Sequence, residues 1–468
     1  MAEEILVREQ YGLLGKEKIY SKHLDRDSIV ELVTGVQPFY GCGGIIKNFF
    51  REVFLPQGYP DSVSKDYLAY QIWDTIQAFC STLMGTLTTH SIMKGVGVGD
   101  TAATPLAAAV TWIMKDGTGM VSRIMFAWWK GTCLDADCKK WRLVADGLND
   151  AALCLEMCLP LVTEHSTALL CASTAVKAVV GVAGGATRAA VTQHQAIRNN
   201  MGDVSAKDGS QETLVNLCAS LTGITILSTV VPDGMHAWML FVFFAVSHLF
   251  ANYMAVHALQ MTSLNEERLL LLLKTFILTK IAATPRGVQF KEAVILGTGQ
   301  SATKLCGHEI VIGTSLKKAI KNNITSNDLK FLTKQYEPRD YLHIEDLNHR
   351  IIYIVLRKNI TPVGVLQAYF HAVLYGIAVA ILYEEDLPHL TTSKDLYEKS
   401  TLLLGLRSAL IQTRFIKYPH DLNITVKAIM AANQVVNQNF TKFLAEIESR
   451  GWQTDTLLLS VDEWRGDW

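Results

Sequence analysis

The chain is short of charge. Charged residues fill 19% of its 468 positions, against about 25% in soluble domains. Neither sign is in excess, with 43 Lys and Arg against 44 Asp and Glu. Without a basic surplus there is no footprint for a polyanion, and no RNP-like or zinc-finger spacing occurs, so nucleic acid is not an expected partner. The motifs of common chemistry are missing too. No HExxH, paired CxxC or Ser-His-Asp pattern is present, so no catalytic residues are assigned and an enzyme is the least favoured class. The start, MAEEILVREQ, is acidic and lacks a long apolar core, which fits neither a secretory signal nor an Arg/Ser-rich transit peptide. Nine scattered cysteines give no metal-ligand framework. Cys133 and Cys138 have no second pair, and Cys154 and Cys158, one helical turn apart in an apolar run, suit a shared buried face of reduced thiols.

What the chain does have is long apolar runs. Residues 1–60 are mixed and turn-rich; residues 61–265 are dominated by hydrophobic stretches; residues 266–287 read as a juxtamembrane helix; residues 288–468 read as an α+β domain. Gly234–Asn265 contains no Asp, Glu, Lys or Arg over 32 residues, and Thr213–Pro232 none over 20. About 20 apolar residues cross the hydrocarbon core, so this pair reads as a transmembrane hairpin turning at VPDGM; a hairpin buried in a large soluble core is the alternative. Ala69–Met93, a segment beginning at Thr101, residues 143–162 and residues 166–187 complete about six helices. Residues 115–142, 188–212 and 260–291 carry six, three and five Lys/Arg, and an alternating path puts all three on one side. The expected fold is mainly α, a membrane bundle followed by a smaller α+β C-terminal domain. The latter is expected to hold strands in HEIVIG and RIIYIVLRK, a hairpin through YLHIEDLNHRIIYIV, and a core helix in PVGVLQAYFHAVLYGIAVAILY. DTLLLSVDEW is expected to close the sheet, and Ser263 with Glu266 stands at capping-box spacing.

Three stretches carry a family resemblance: VFLPQGYPDSVSKDYLAYQIWD at 53–74, FAWWKG at 126–131 and VAGGATRAAVTQHQAIRNNMGDVSAKDGSQETLVNL at 182–217. Together they resemble the root UV-B sensitive (RUS) family, its animal branch most of all, and the closing VDEWRGDW fits as well. The resemblance implies no established biochemical activity and no agreed catalytic residues. It does imply a link to UV-B tolerance and vitamin B6 homeostasis, hence pyridoxal phosphate as a ligand to consider, with no cofactor known, and family paralogues or a second copy as partners beside the lipid bilayer.

Some residues stand out against this apolar background. Gly181, Gly184 and Gly185, then Thr187, Arg188, Arg198 and Lys207, put backbone N–H groups, a hydroxyl and cations in one short span read as a polar loop, the ingredients of a phosphate or carboxylate pocket. A basic loop capping its helices is the competing reading, with Asp208 and Gln211 starting the next helix. Asp74, Asp146, Asp150 and Lys177 fall inside the proposed helices, where charge is costly and marks substrate or proton pathways, or else structural ion pairs. A hairpin turning near Glu164 would pair Lys177 with Asp150. Asp74 with Gln71, Trp73 and Gln77 forms a polar stripe. GVGVGD at 95–100 and LGTGQSATK at 296–304, with Lys304, read as turns; Trp128, Trp129 and Lys130 suit a membrane interface or a core; His194, His248 and His257 show no metal spacing. Two functions are carried forward: a transporter-like membrane protein for a small anionic metabolite, and a non-catalytic membrane scaffold that binds proteins through its C-terminal domain.

Overall fold

Six long helices run between Tyr67 and Ala258: α1 (Tyr67–Gly95), α2 (Pro105–Lys130), α3 (Cys138–Met157), α4 (Ser166–Gln195), α5 (Met201–Thr229) and α6 (Met235–Ala258). The computed structural model describes residues 5–11, 16–22, 29–34, 49–95, 105–229, 235–320, 324–391, 394–413 and 423–468. These fall into two compact units, Met1–Ala127 with Ala145–Ala258 and Trp128–Val144 with Leu259–Trp468. GVGVGD beyond Gly95 and the VPDGM turn before Met235 lie outside the described residues.

Helix ends follow local chemistry. Pro105 opens α2, where its missing N–H costs nothing. Pro160 stops α3 from continuing, and 3-10 turns at Leu159–Leu161 and Thr163–His165 lead into α4. Between α4 and α5, Asn199 takes a positive φ of 55°, a conformation Asn tolerates better than most residues. Asp203 sits in the first turn of α5, where the helix dipole favours an anion.

Two expected loops are helix instead. The stretch 181–195 belongs to α4 and 201–212 to α5, leaving only a short connection that contains Arg198. A helical glycine costs about 1 kcal/mol, which packing and the flanking Ala, Arg and Gln residues offset. Asp208 and Gln211 are therefore interior positions of α5, not its cap. Likewise Lys115, Arg123 and Lys130 ride on α2, which continues unbroken past Met114. The contrast between basic and uncharged loops thus shrinks, and the case for lipid shifts to the exposed surface.

That surface is apolar. Leu106, Ile113, Met120, Ile124 and Met125 of α2, Leu217, Leu221 and Ile224 of α5, and Met239, Val242, Phe243, Val246 and Phe250 of α6 are all exposed. Trp128 and Trp129 are exposed at the end of α2, with Lys130 over the Trp129 ring. Inside the unit, Met84, Leu87, Leu153, Met157 and Phe241 form a core. Gly223 lets α5 approach α1 so closely that a Cβ there would lie 2.8 Å from Thr86. Threonines of α5 return their hydroxyls to the carbonyl one turn back, as Thr213 to Gly209 and Thr222 to Cys218, which satisfies those hydroxyl hydrogens within the helix. Ahead of the helices, Ile5–Tyr11, Lys16–Lys22 and Ile29–Thr34 pair as an antiparallel meander, which the turn-rich reading of this region did not anticipate.

The second unit buries its apolar residues. Helix Pro362–Leu382, capped by Thr361, is apolar enough to cross a membrane, yet 83% of its most apolar window is buried, against 22% in α4 and 39% in α6. It is a core helix, as expected. It packs on a sheet in which Ile351–Arg357 is central, parallel to Glu309–Ile312 and antiparallel to Tyr341–Asp346. The C-terminal tail adds Arg465–Gly466 to the same central strand, and Leu457–Leu458 pairs with Leu264–Asn265. The helix Glu266–Thr279 is capped by Asn265, whose side chain accepts from the Arg268 N–H; Ser263 instead accepts from the Arg268 guanidinium. Glu292 binds Arg268 at 2.9 Å and Lys139 at 2.8 Å. Burial alone would raise the Glu292 carboxyl, but these two cations hold it at about 2. LGTGQSATK is a turn only up to Ser301, which caps a short helix, Ala302–Cys306; Lys304 in that helix donates to the Gly299 carbonyl.

Candidate functional site

Helix α1 carries Gln71, Asp74, Gln77, Ser81, Thr82, Thr86, Thr88 and Thr89, a spacing of three or four that gathers much of its polarity on one side. At 29 residues it is roughly 43 Å long by the helical rise. Partners from the other helices meet this stripe along its length and make a polar column inside an apolar exterior.

At the first end, the family-like stretches 53–74 and 182–217 bind each other. The Gln57 N–H donates to Asp203 at 2.7 Å, Lys207 donates to the Glu52 carbonyl and Gln211 to the Phe54 carbonyl. Asp66 Oδ2 lies 2.9 Å from His194 Nε2. Gln71 donates to Asp208 at 3.1 Å, and Arg188 pairs with Asp208 at 2.5 Å and Glu212 at 2.6 Å. The predicted anion set is thus dispersed. Gly184 and Gly185 are mid-helix, their N–H groups within the helical ladder; Thr187 returns its hydroxyl to Ala183. The Arg198 guanidinium lies against Gly58, while its N–H binds Asn200. Lys207 and Arg198 thus reach the segment before α1, Arg188 ties α4 to α5, and Thr187 bonds within its own helix.

Midway, Tyr70 donates to Asp74 at 3.3 Å. Asp146 accepts from Gln77 and Asn252, both at 2.5 Å. His248 stands between Asp150, 2.8 Å from Nδ1, and Asp146, 3.8 Å from Nε2. Asp150 therefore partners His248, not Lys177.

Toward the far end lies a cavity of about 630 Å³ lined by Thr82, Thr86, Thr88, Thr89, His90, Leu153, Glu156 and Lys177, among others. Lys177 reaches Glu156 at 2.6 Å, and Ser173 donates to the same carboxylate at 2.7 Å. Glu156 is 4% exposed while Lys177 is over a third exposed, so the ammonium is the accessible member. Thr86, Thr88 and Thr89 donate to carbonyls of their own helix, which leaves their oxygens as acceptors. An ammonium beside several hydroxyl oxygens can hold a small molecule that has one anionic group and hydroxyl or amine donors. Of the residues singled out from the sequence, only Lys177 lines this cavity. Glu156, His248, Gln77 and Asn252 were missed as site members, though His248 and Asn252 stand one helical turn apart as polar intruders in a charge-free run.

Fold and surface define a mainly helical protein with, among the described residues, three helices long and apolar enough to cross a membrane, one of them buried in its own unit. Comparison with known proteins identifies it further. Residues 45–280 match the vitamin B6 photo-protection and homoeostasis domain, and residues 282–468 match the C-terminal domain of root UVB sensitive proteins. The chain belongs to the root UVB sensitive (RUS) family. It is 47% identical over 262 residues to RUS family member 1 of Dictyostelium discoideum, covering 55% of this chain and 48% of that relative, so the match spans about half of the relative's length. It is 29% identical to protein root UVB sensitive 3 of Arabidopsis thaliana over 89% of this chain and 86% of that one. Protein root UVB sensitive 2, chloroplastic, from the same plant is 25% identical over 87% and 83%. No solved structure matches.

Proposed function

We propose that this chain is an integral membrane protein whose helical unit, a bundle of about six membrane-embedded helices, binds or carries a small metabolite in the cavity beside Lys177. Vitamin B6 compounds, including pyridoxal phosphate, are the class that the name of the matched domain suggests. The observation that carries the reading is a largely apolar cavity that holds a Lys177–Glu156 pair, between helices whose outer faces are apolar. Contiguous exposed apolar surface marks a membrane or partner interface, and ionisable groups inside such a unit mark ligand or ion pathways. Carbonate washing of membranes holding the full chain should leave it in the pellet; its release would remove the lipid premise. In liposomes containing the purified chain, labelled pyridoxal or pyridoxal 5′-phosphate should accumulate with time.

A second reading is a non-catalytic membrane scaffold that binds family paralogues or a second copy. It is favoured by the internal use of Arg188 and Lys207, which tie segments of the chain together, and by the Arg198 guanidinium lying against Gly58. A scaffold gives no uptake in the liposome experiment.

A further inference from the structure

An imidazole clamped by two carboxylates is an unusual thing to find inside an apolar bundle. His248 on α6 is 1% exposed. Asp150 and Asp146 of α3 approach its two nitrogens at 2.8 and 3.8 Å, and the Gln77 amide lies 3.3 Å from Nε2. The other titratable groups facing the cluster come from α1: Asp74, which acts on the imidazole through space, and the Cys80 thiol beside Asp150. Helix α6 itself has no Asp, Glu, Lys or Arg.

The cluster has an open valence. Asp150 is 7% exposed, yet neither of its carboxylate oxygens, nor His248 Nδ1, makes a hydrogen bond among the described residues. Among them, His248 is also the only group of cationic type at ion-pair distance from Asp150. A buried carboxylate without a full partner set is strongly penalised, and gaining or losing a proton nearby is the cheapest relief. Histidine is the side chain whose charge changes near neutral pH. The cluster also adjoins the cavity: Leu153 and Glu156, which line it, follow Asp150 on α3 by one and two turns.

We propose that His248, with Asp146 and Asp150, is a proton-loading site coupled to occupancy of the Lys177 cavity. The inference rests on the cavity being the ligand site. With the proton of the neutral ring on Nδ1, which stands 2.8 Å from Asp150, a proton from water adds to the Nε2 lone pair. The imidazolium charge then stands 2.8 Å from Asp150 and 3.8 Å from Asp146, with the Gln77 amide beside Nε2. Loss of the same proton to water restores the neutral ring, so the step needs no redox partner or further reactant. A change of one charge beside α3 alters the field on Glu156 and Lys177, which links proton and ligand.

Two measurements on the full chain separate this idea from the function it builds on. The first is nitrogen NMR of histidine-labelled protein in nanodiscs from pH 4 to 9, with His248→Gln assigning the signal and Asp150→Asn perturbing it. His248 should change charge state within this range, and Asp150→Asn should move its midpoint by one pH unit or more. If His248→Gln does not fold, the signal moved by Asp150→Asn supplies the assignment. A His248 ring that keeps one charge state throughout overturns the site. The second is liposome uptake of pyridoxal 5′-phosphate with and without an imposed pH gradient. Wild type should accumulate several-fold more with the gradient, and Asp150→Asn should bind the probe but lose that gain. Uptake indifferent to the gradient overturns the coupling and leaves the cavity reading standing. A titrating His248 with no uptake by any form overturns the coupling too, and with it transport, while the proton site survives.

Discussion

The Lys177 ammonium lies 2.6 Å from the Glu156 carboxylate, two helical turns beyond the Asp150 with which it was predicted to pair. Glu156 is the penultimate residue of α3, whereas Lys177 is three turns into α4. Helices reversing at one level would hold these residues far apart. The two 3-10 turns between Leu159 and His165 shift one helix along the other and bring them together.

This pair should behave asymmetrically. Lys177→Met leaves Glu156 buried with only Ser173 as partner and should cost about 2 kcal/mol, less than a fully buried pair because Lys177 is partly exposed. Adding Glu156→Met should recover most of that loss. Thermal unfolding in detergent gives the comparison; a double variant as unstable as the sum of the singles would count against a buried pair.

The arginines should separate from the ligand. Arg188→Ala with Arg198→Ala should lower stability by about 1–3 kcal/mol, since Asp208 loses a charged partner, but should leave pyridoxal 5′-phosphate affinity within twofold. Lys177→Ala should weaken it at least tenfold. Calorimetric titration of both variants decides between the cavity and the sequence-derived anion set.

The C-terminal unit should be acid-sensitive. Burial pushes His343 down to about 3 from the ordinary 6.5, and burial with the neighbouring His343 and Arg339 also lowers His371. Between pH 6.5 and 3 the unfolded chain binds more protons than the folded one, so the stability these neutral rings contribute is complete above 6.5 and is lost as pH falls. Glu292, at about 2 against 4.5, adds a loss in the same direction below pH 4.5. The unfolding temperature, followed by near-ultraviolet circular dichroism, should drop from pH 7 to 5.5 and faster below 4.5. A temperature that stays level over that range would contradict the buried neutral assignment.

Gly313 should fix the C-terminal tail. Its φ is +71°, and a Cβ there would lie 2.1 Å from the Asp462 carbonyl oxygen. Gly313→Ala should cost about 1–3 kcal/mol and raise hydrogen exchange in residues 457–468, while the hairpin of Tyr341–Asp346 and Ile351–Arg357 keeps its protection. Unchanged exchange in the tail would show that this close approach is dispensable.

Part of this protein was legible in the chain alone. Long charge-free apolar runs located most of the long helices, because a segment that meets only apolar surroundings needs no polar face, and short β-rich segments located the C-terminal strands. The HEIVIG and RIIYIVLRK strands and the YLHIEDLNHRIIYIV hairpin formed as read, since strand propensity, turn residues and alternation agree there. Long ordered motifs gave the family. The polar segment at 181–195 was misread, because its glycines signal a loop locally while neighbouring helices hold it helical.

Sequence, then, determined most of the long helices and the C-terminal strands, that the first unit is apolar and sparing of charge, and which family the chain belongs to; these depend on neighbours along the chain and on composition. Only the tertiary structure decided which charge meets which: Lys177 with Glu156, Arg188 with Asp208 and Glu212, His248 with Asp146 and Asp150. Ion pairing inside a bundle is set by the offset and rotation of helices against each other. A shift of one turn, about 5.4 Å, exchanges every partner while leaving each helix's own pattern intact.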